Sequence, residues 1–227
     1  MNKTIIEGFE WVFDGQRLKF LKEKAIWIED EKTLLLADTH FGKAGHFRKA
    51  GIPVPEKIHF NDYERMDELI QLLNPLMVVF LGDLFHSEYN ADWVTLNAYL
   101  NKHHKIDFHL VKGNHDILTD DHYLSARLIL HHQRFNWLNY IFTHEPMALS
   151  VPGKLNICGH FHPGINLKGK GKQGLKLPCY FYQENCLILP AFGSFTGLMN
   201  MELSTGSEIF AVTGQMVIPI KIKNKVG

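Results

Sequence analysis

The feature that most constrains this chain is a pattern that occurs five times, a short apolar run that ends abruptly in Asp, Asn or His. An apolar run bounded in this way is typical of a buried strand followed by a polar loop. The five segments are residues 31–40, 76–83, 106–116, 137–145 and 155–162. The pattern therefore predicts five strands, each with a polar cluster at its end.

Amphipathic segments lie between the first three of these predicted strands. Residues 55–73 place apolar side chains at helical spacing among Glu, Asp and Arg, and residues 91–102 predict a second helix. Strands that alternate with amphipathic helices indicate a largely parallel sheet, in which ligands bind outside the carboxyl ends of the strands. We therefore expect the five polar clusters to meet at a single sheet edge.

The two ends of the chain have a different pattern. Residues 179–189, 193–203 and 209–222 read as consecutive strands separated by Gly, Ser and Asn turns, which predicts a second, more antiparallel sheet packed on the first. In residues 9–28, Asp14-Gly15 is a turn signal for a hairpin that we expect to join this second sheet. The predicted fold is α/β with two sheets, in a single domain spanning residues 1–227.

Composition excludes some classes of protein and leaves the partner open. Lys+Arg and Asp+Glu are both 24, so the zero formal net charge does not by itself indicate a nucleic-acid partner. No segment reaches the roughly 18 uncharged apolar residues of a membrane span, and the N-terminal residues lack a signal-peptide core. The three cysteines form no C-x-x-C pair, which disfavours a zinc-thiolate site. We expect a cytoplasmic protein with no membrane partner.

The five strand ends together carry metal-ligand side chains. Each motif alone is weak evidence, because a single His after a strand is more often a structural hydrogen-bonding group than a ligand. Their common placement after strands indicates one site built of carboxylate, amide and imidazole groups. The motifs are Asp38-x-His40, Gly82-Asp83, Gly113-Asn114-His115-Asp116, His144 and Gly159-His160-x-His162.

This ordered set resembles the calcineurin-like metallophosphoesterase superfamily, whose pattern D-x-H, G-D, G-N-H-[DE], H, G-H-x-H is matched at every position. The resemblance implies a two-sheet αββα sandwich that holds two metal ions and leaves His115 free for catalysis. The ligands that it implies are Asp38, His40 and His162 for one metal, Asn114, His144 and His160 for the other, and Asp83 as the bridge.

The residue types also fit two-metal hydrolysis on chemical grounds. The carboxylate of Asp83 can bridge two cations roughly 3.5–4 Å apart, which neither an imidazole nor an amide can do. Imidazole and carboxylate ligands without thiolate suit Mn²⁺, Fe or Zn²⁺ better than Mg²⁺, and we expect two divalent ions with Mn²⁺ as the working metal. Such a pair supplies a hydroxide near neutral pH for attack on phosphorus. His115 is the candidate to protonate the leaving oxygen, and Asp116 to fix its tautomer.

Further motifs narrow the resemblance to proteins that act on DNA. The sequence Gly82-Asp83-Leu84-Phe85-His86 is similar to SbcD-type repair nucleases and indicates that His86 contacts a ligand or the substrate. The string H-x-G-K-x-x-H-F-R-x-x-G-I-P at residues 40–53 and the segment L-P-A-F-G-S-F-T-G at residues 189–197 resemble the ligase-associated DNA-damage-response phosphoesterases, the PdeM family. That family occurs in bacterial gene clusters with an ATP-dependent DNA ligase, a helicase and an exonuclease-like protein, which the resemblance implies as partners.

Basic residues beside these motifs are candidates for substrate binding. Lys43, His46 and Arg48 follow the first ligand pair, where cationic donors could hold a phosphate next to the scissile one. A solvated loop would explain them equally simply. A second group could follow a nucleic-acid backbone or form a flexible hairpin tip. That group consists of Lys168, Lys170, Lys172 and Lys176.

Three functions are consistent with the sequence. The first is a metal-dependent phosphodiesterase or endonuclease that acts on DNA during repair. The alternative enzyme is a phosphodiesterase of small nucleotides or nucleotide-lipid diesters, which would use the same metals. A non-catalytic scaffold should have lost ligands, whereas all seven are present, and an unpaired carboxylate cluster without metal is costly. The sequence therefore favours an enzyme, with DNA as its predicted substrate.

Overall fold

The computed structural model describes residues 6–43, 56–168 and 174–221, which form two facing β-sheets and three helices. The first sheet has seven strands that lie in chain order. Strands β1 to β4 are antiparallel, and β4 to β7 are parallel. Its strands are β1 (Phe9–Phe13), β2 (Gln16–Phe20), β3 (Ile26–Ile28), β4 (Thr33–Leu36), β5 (Met77–Leu81), β6 (Asp107–Val111) and β7 (Leu128–His131).

The second sheet has nine strands and runs in the order β14-β11-β12-β13-β10-β9-β8, with β15 on β12 and β16 on β15. Strand β10 is parallel to both β9 and β13, and the hairpins around them are antiparallel. Its strands are β8 (Arg134–Trp137), β9 (Tyr140–Thr143), β10 (Leu155–Cys158), β11 (Pro163–Lys168), β12 (Gly174–Gln183), β13 (Cys186–Ile188), β14 (Met199–Asn200), β15 (Glu208–Val212) and β16 (Val217–Ile220).

The helices of the described ranges cover the outer face of the first sheet. They are α1 (Glu56–Leu73), α2 (Ala91–Lys102) and α3 (Asp120–Ser125), and buried Met66, Trp93 and Tyr123 pack there against strands β5 and β6. The first two confirm the predicted helices. Helix α3 was not predicted, because six residues are too few to show a helical period. None of the described helices is long and apolar enough to cross a membrane.

Strand β5 shows why its sequence is a continuous apolar run. Val78 and Phe80 belong to the core beneath the helices, whereas Val79 and Leu81 belong to the core between the sheets. Alternate side chains point to opposite faces of a strand, so a strand buried on both faces must be apolar throughout. Each large side chain buried in this way contributes about 1.5–3 kcal/mol. This packing holds the ends of the central strands in fixed positions.

The predicted α/β fold with two sheets is confirmed, but the distribution of the motif strands was predicted wrongly. Strands β4, β5 and β6 lie in the first sheet, whereas β9 and β10 lie in the second. Both groups are parallel and buried, so their sequence patterns are alike. The polar clusters therefore come from two facing sheets and not from one sheet edge.

The pairing of the chain ends also differs from the prediction. The hairpin of β1 and β2 does turn at Asp14-Gly15, where φ is 46° and 77°, but it joins the first sheet. Residues 179–189 contain parts of two strands with a turn at Glu184-Asn185, and residues 209–222 also contain two. Residues 193–203 are mostly loop, with the short strand β14. Each of these two segments was predicted as one strand but contains a hairpin turn. The turn at Glu184-Asn185 has no glycine and so lacks the usual sequence signal of a hairpin.

Candidate metal centre

The predicted ligands lie on loops at the carboxyl ends of β4, β5, β6, β9 and β10. Most of these residues have a left-handed backbone that non-glycine residues seldom adopt. Such a conformation costs of order 1–3 kcal/mol and persists where the surroundings impose it, often at functional sites. The residues with this conformation are Asp38 at φ 50°, His40 at 47°, Asp83 at 49°, His160 at 71° and His162 at 47°.

The glycines of the motifs allow the loops to approach each other closely. A Cβ on Gly113 would lie 2.3 Å from Asp83 Oδ1, and a Cβ on Gly159 would lie 2.4 Å from Asp38 Oδ2. Neither glycine has a positive φ, whereas Gly82 does, at 79°. Gly113 and Gly159 are therefore needed because a side chain would collide with the carboxylates. Gly82 is needed for its positive φ.

The first cluster brings together Asp38, His40 and His162, whose candidate ligand atoms lie close enough to hold a metal ion. His162 Nε2 lies 3.6 Å from Asp38 Oδ1 and 3.4 Å from His40 Nε2. Asp38 is fully buried, and its Oδ2 accepts a hydrogen bond from the His160 N–H at 2.9 Å. Its Oδ1 has no hydrogen-bond partner among the residues that the structure describes. A buried carboxylate oxygen left in this state is costly, and a cation held by these three side chains would compensate it.

The second cluster is centred on His144. Its Nδ1 lies 3.1 Å from the Leu81 carbonyl, which can only accept, so Nδ1 is the donor of this bond and Nε2 is the ring nitrogen left for a metal. Asn114 Oδ1 and His160 Nδ1 each lie 3.0 Å from that Nε2. The three side chains that were predicted to share a metal therefore converge on one point.

Asp83 lies between the two clusters and is buried. Its Oδ2 is 3.7 Å from His40 Nε2, and its Oδ1 is 3.5 Å from His144 Nε2. Each carboxylate oxygen thus faces a different cluster, which is the geometry a bridging ligand needs. Asp38 also lies near the second cluster, since its Oδ1 is 3.8 Å from His144 Nδ1 and its carboxylate forms a group with the Asp83 carboxylate and the His144 ring.

Burial keeps His40 neutral, as a metal ligand must be. Burial is the main cause that lowers the pKa of His40 to about 2, and the positive charge of Lys43 adds to the shift. The pKa of Lys43 is itself lowered by burial, while the carboxylates of Asp83 and Asp38 oppose that change. Lys43 is therefore close enough to the centre to sense both acidic side chains.

His115 and His86 lie together on one side of the centre. Their ring centroids are 3.9 Å apart, and the His115 ring is 5.7 Å from that of His40. His86 Nδ1 lies 3.1 Å from His40 Nδ1, on the edge of the ring opposite the candidate ligand atom Nε2. If His40 Nδ1 carries the proton, it donates to His86 and leaves Nε2 free for a metal.

Asp116 has a different environment from the one predicted. Its carboxylate accepts hydrogen bonds from the backbone N–H groups of Phe85 at 3.2 Å and Gly113 at 2.8 Å. Burial raises the pKa of Asp116 to about 7, although these two bonds act in the opposite direction. The hydrogen bonds found for Asp116 in the described part of the chain thus hold two motif loops together and do not reach the His115 ring.

Some candidate substrate residues lie outside the described ranges. From the first basic group these are His46 and Arg48, and from the second they are Lys170 and Lys172. In the rest of the second group, only the side chain of Lys176 is described. Lys176 Nζ donates to the Leu198 carbonyl at 2.5 Å. Glu145 was not predicted as a site residue, yet its Oε1 lies 3.9 Å from His160 Nε2. Glu145 directly follows the motif residue His144, and this position could have identified it as a site residue from the sequence.

The fold and this site define a class of enzyme, the metal-dependent phosphoesterases, which are hydrolases. The calcineurin-like phosphoesterase family model matches residues 31–178, a range that includes every predicted ligand. The chain belongs to the calcineurin-like phosphoesterase family, whose members use divalent metals.

Two enzymes are among the solved structures that this chain matches. The crystal structure of Pseudomonas putida nuclease MPE has a TM-score of 0.79 and 26% sequence identity, covering 94% of this chain and all (100%) of that chain. Yfce, a phosphoesterase from E. coli, has a TM-score of 0.42 and 14% identity, covering 80% of this chain and 87% of its own. No curated protein sequence matches this chain significantly.

Proposed function

We propose that this chain is a dinuclear-metal-dependent phosphodiesterase or endonuclease that hydrolyses DNA in a ligase-associated repair pathway. The observation that carries the chemistry is the pair of ligand clusters on either side of Asp83, with one oxygen facing each. The likeness to the Pseudomonas putida nuclease along 94% of the chain supports a nucleic-acid substrate. Residues 1–227 would form one domain, because the described strands of the two sheets share a core.

The ligand assignment follows from the contacts of each cluster. Two divalent ions fit the site, and the absence of thiolate among the candidate ligands favours Mn²⁺, with Fe or Zn²⁺ as the other choices. Asp83 would bridge the two ions. The first ion would be held by Asp38, His40 and His162, and the second by Asn114, His144 and His160.

Bound divalent ions would supply Lewis-acid activation of water and stabilise charge on the phosphate oxygens. The residues of the chain supply proton transfer and orientation. The ring of His115 would protonate the leaving oxygen, a role worth about 10²–10⁴-fold in rate. Its backbone N–H donates to Asp83 Oδ1 at 2.9 Å, which ties the proposed acid to the proposed bridging ligand. Asp116 would keep the loops of Phe85 and Gly113 together.

Cationic side chains near the metal centre would bind the substrate. Lys43 would bind a phosphate at the centre, a role supported by its closeness to the carboxylates of Asp83 and Asp38, which act to raise its pKa. His46 and Arg48 would extend this contact to a flanking phosphate, and His86 would support His40. The proposed partners are an ATP-dependent DNA ligase, a helicase and an exonuclease-like protein, and the proposed location is the cytoplasm.

A metal-substitution screen tests this function. The metal-free protein is loaded in turn with Mn²⁺, Fe²⁺, Zn²⁺ or Mg²⁺ and assayed on single-stranded DNA, duplex DNA and small nucleotide diesters. We expect Mn²⁺ to give the highest activity and DNA to have the highest kcat/KM. Hydrolysis of small diesters without DNA cleavage would contradict the DNA assignment and favour the small-diester function, while inactivity with every metal would contradict both.

A further inference from the structure

The loop of residues 190–197, which lies in the segment L-P-A-F-G-S-F-T-G, packs directly behind the loop that carries Asp38. The N–H of Phe192 donates to the Ala37 carbonyl at 2.8 Å, and the N–H of Gly193 donates to the Asp38 carbonyl at 3.2 Å. A Cβ on Gly193 would lie 2.6 Å from the Thr39 carbonyl oxygen. The two backbones are in close contact, so a shift of the 190–197 loop must shift Asp38 as well.

Two charged side chains of helix α1 hold the 190–197 loop on its other side. The Asp62 carboxylate accepts hydrogen bonds from the N–H of Ser194 at 3.0 Å and from its hydroxyl at 2.6 Å. Arg65 Nη2 donates to Asp62 Oδ1 at 2.9 Å and also to the Phe192 carbonyl. The guanidinium group of Arg65 lies 4.0 Å from the centroid of the Phe192 ring. Asp62 and Arg65 thus bind both side chains and backbone of the loop.

The backbone groups at the centre of the loop are hydrogen-bonded as a result. The Phe192 carbonyl is bound by Arg65, and the Gly193 carbonyl accepts from Lys24 Nζ at 3.2 Å. Their N–H groups are bound to the Asp38 loop, and the N–H of Ser194 is bound to Asp62. A loop with this many partners has a single well-defined position relative to the sheet.

Asp38 needs this support because of its own conformation. It has a φ of 50°, and its buried Oδ1 has no hydrogen-bond partner within the described ranges. A strained backbone persists only where neighbouring structure imposes it. Hydrogen bonds bind the Asp38 side chain to the His160 N–H, its N–H to the Gly82 carbonyl at 3.2 Å, and its carbonyl to the Gly193 N–H. The last of these leads through the 190–197 loop to Asp62 and Arg65.

We propose that Asp62 and Arg65 are positioning residues for the metal centre. Through the 190–197 loop they hold the Asp38 backbone in the conformation that presents its carboxylate to a divalent cation. The inference rests on the proposed role of Asp38 as a ligand. It also assigns a task to a C-terminal segment that the proposed mechanism does not otherwise use.

A pair of variants on the same helix tests this. Asp62→Ala removes the support, and Asp67→Ala is the matched control, because Asp67 is also a hydrogen-bonded carboxylate of α1. Its partners lie on helix α2 and at the end of that helix, and they are Tyr99 and His103 at 3.0 Å and Lys102 at 3.5 Å. Mn²⁺ binding to the metal-free proteins is measured by titration calorimetry, and thermal unfolding is recorded alongside.

We expect Asp62→Ala to weaken Mn²⁺ affinity by about 10–100-fold, the usual effect of losing a group that orients a ligand. Asp67→Ala should keep the affinity within about twofold while lowering the melting temperature by a similar amount to Asp62→Ala. Equal Mn²⁺ affinity in the two variants would overturn the inference. A wild-type chain that binds no Mn²⁺ would instead contradict the proposed function.

Milder variants decide the question if Asp62→Ala does not fold. Ser194→Ala removes only the hydroxyl contacts with Asp62 and Arg65, and Arg65→Lys keeps the charge but loses the planar fork. Hydrogen exchange of the Asp38 and His40 amides in the metal-free protein is a readout that does not depend on activity. We expect faster exchange of both amides in each mild variant than in Asp67→Ala, by about tenfold for Arg65→Lys. Equal exchange in all three would overturn the inference.

Discussion

The candidate ligands of the metal centre differ in burial from loop to loop, since those after β4, β5 and β9 are buried and those after β6 and β10 reach solvent. Asp38, His40 and Asp83 follow strands of the first sheet, and their side chains are 0%, 3% and 3% exposed. His160 and His162 follow β10 of the second sheet, and their side chains are 30% and 17% exposed. The loops after β4, β5 and β9 thus form a closed half of the site, and the loops after β6 and β10 an open half.

The difference in burial indicates that the two halves of the site have different roles. Two buried carboxylates need a compensating cation, because an unpaired charge in the interior is costly. The open half leaves room for a phosphate to reach the ions and for His115 to reach the leaving oxygen. Substitutions in the closed half should therefore change metal binding most, and those on the open side should change turnover and substrate choice.

The largest effect is expected from Asp83→Asn in the closed half. The amide cannot bridge two cations, so bound metal should fall from about two ions to one or none, and activity by about 10²–10³-fold or more. Elemental analysis and kinetics measure both. Asp120→Asn, in helix α3 and outside the proposed ligand set, is the control and should keep two ions. Two tightly bound ions in Asp83→Asn would show that the bridging assignment is wrong.

His115→Ala should affect turnover and leave metal content intact. Loss of a general acid lowers kcat by about 10²–10⁴-fold on an unactivated diester, whereas a nitrophenyl ester should suffer less because nitrophenolate leaves without a proton. Steady-state kinetics on the two substrates provide the comparison, with His122→Ala as a control on helix α3. An equal loss on both substrates would argue against His115 as the acid.

Arg48→Ala should weaken oligonucleotide cleavage by about 1–3 kcal/mol in kcat/KM, because a charged hydrogen bond to a flanking phosphate is lost. A small diester lacks that phosphate and should be cleaved as before. The salt dependence on single-stranded DNA should also become shallower, by up to about 0.7 in log–log slope. Arg127→Ala is the control, since Arg127 donates to the His104 carbonyl. Equal damage to both substrates with an unchanged salt slope would favour the small-diester function.

The smallest effect concerns Lys24, which supports the 190–197 loop. Burial is the main cause that lowers its pKa from 10.5 to about 7. The unfolded chain then binds more protons than the folded chain between these values, so stability rises with pH across that window. Urea unfolding of the metal-free wild type and Lys24→Met should show the wild type gaining about 1 kcal/mol relative to the variant from pH 7 to pH 9. Parallel profiles would contradict the shift.

Local structure was predictable from the sequence because it depends on local pattern. Residues 91–102 show a helical period and form α2, and the apolar runs before Asp38 and Asp83 form β4 and β5. The convergence of Asp38, His40 and His162 was also predictable, since the motif order was complete.

Sheet membership was not predictable, because β6 and β10 are both buried parallel strands and their residue patterns are equivalent. The left-handed backbone of Asp38 has no sequence signal, since it is imposed by contacts and not by glycine. The pairing of Asp62 with Ser194 joins residues far apart in the chain, and only the tertiary fold brings them together. These features belong to packing between elements.

The measurement that tests the central claim most directly is anomalous diffraction from crystals grown with Mn²⁺. The account predicts two peaks roughly 3.5–4 Å apart, both in contact with the Asp83 carboxylate. The ligands expected at the first peak are Asp38, His40 and His162, and those at the second are Asn114, His144 and His160. A single peak, or two peaks that do not share Asp83, would contradict the dinuclear centre.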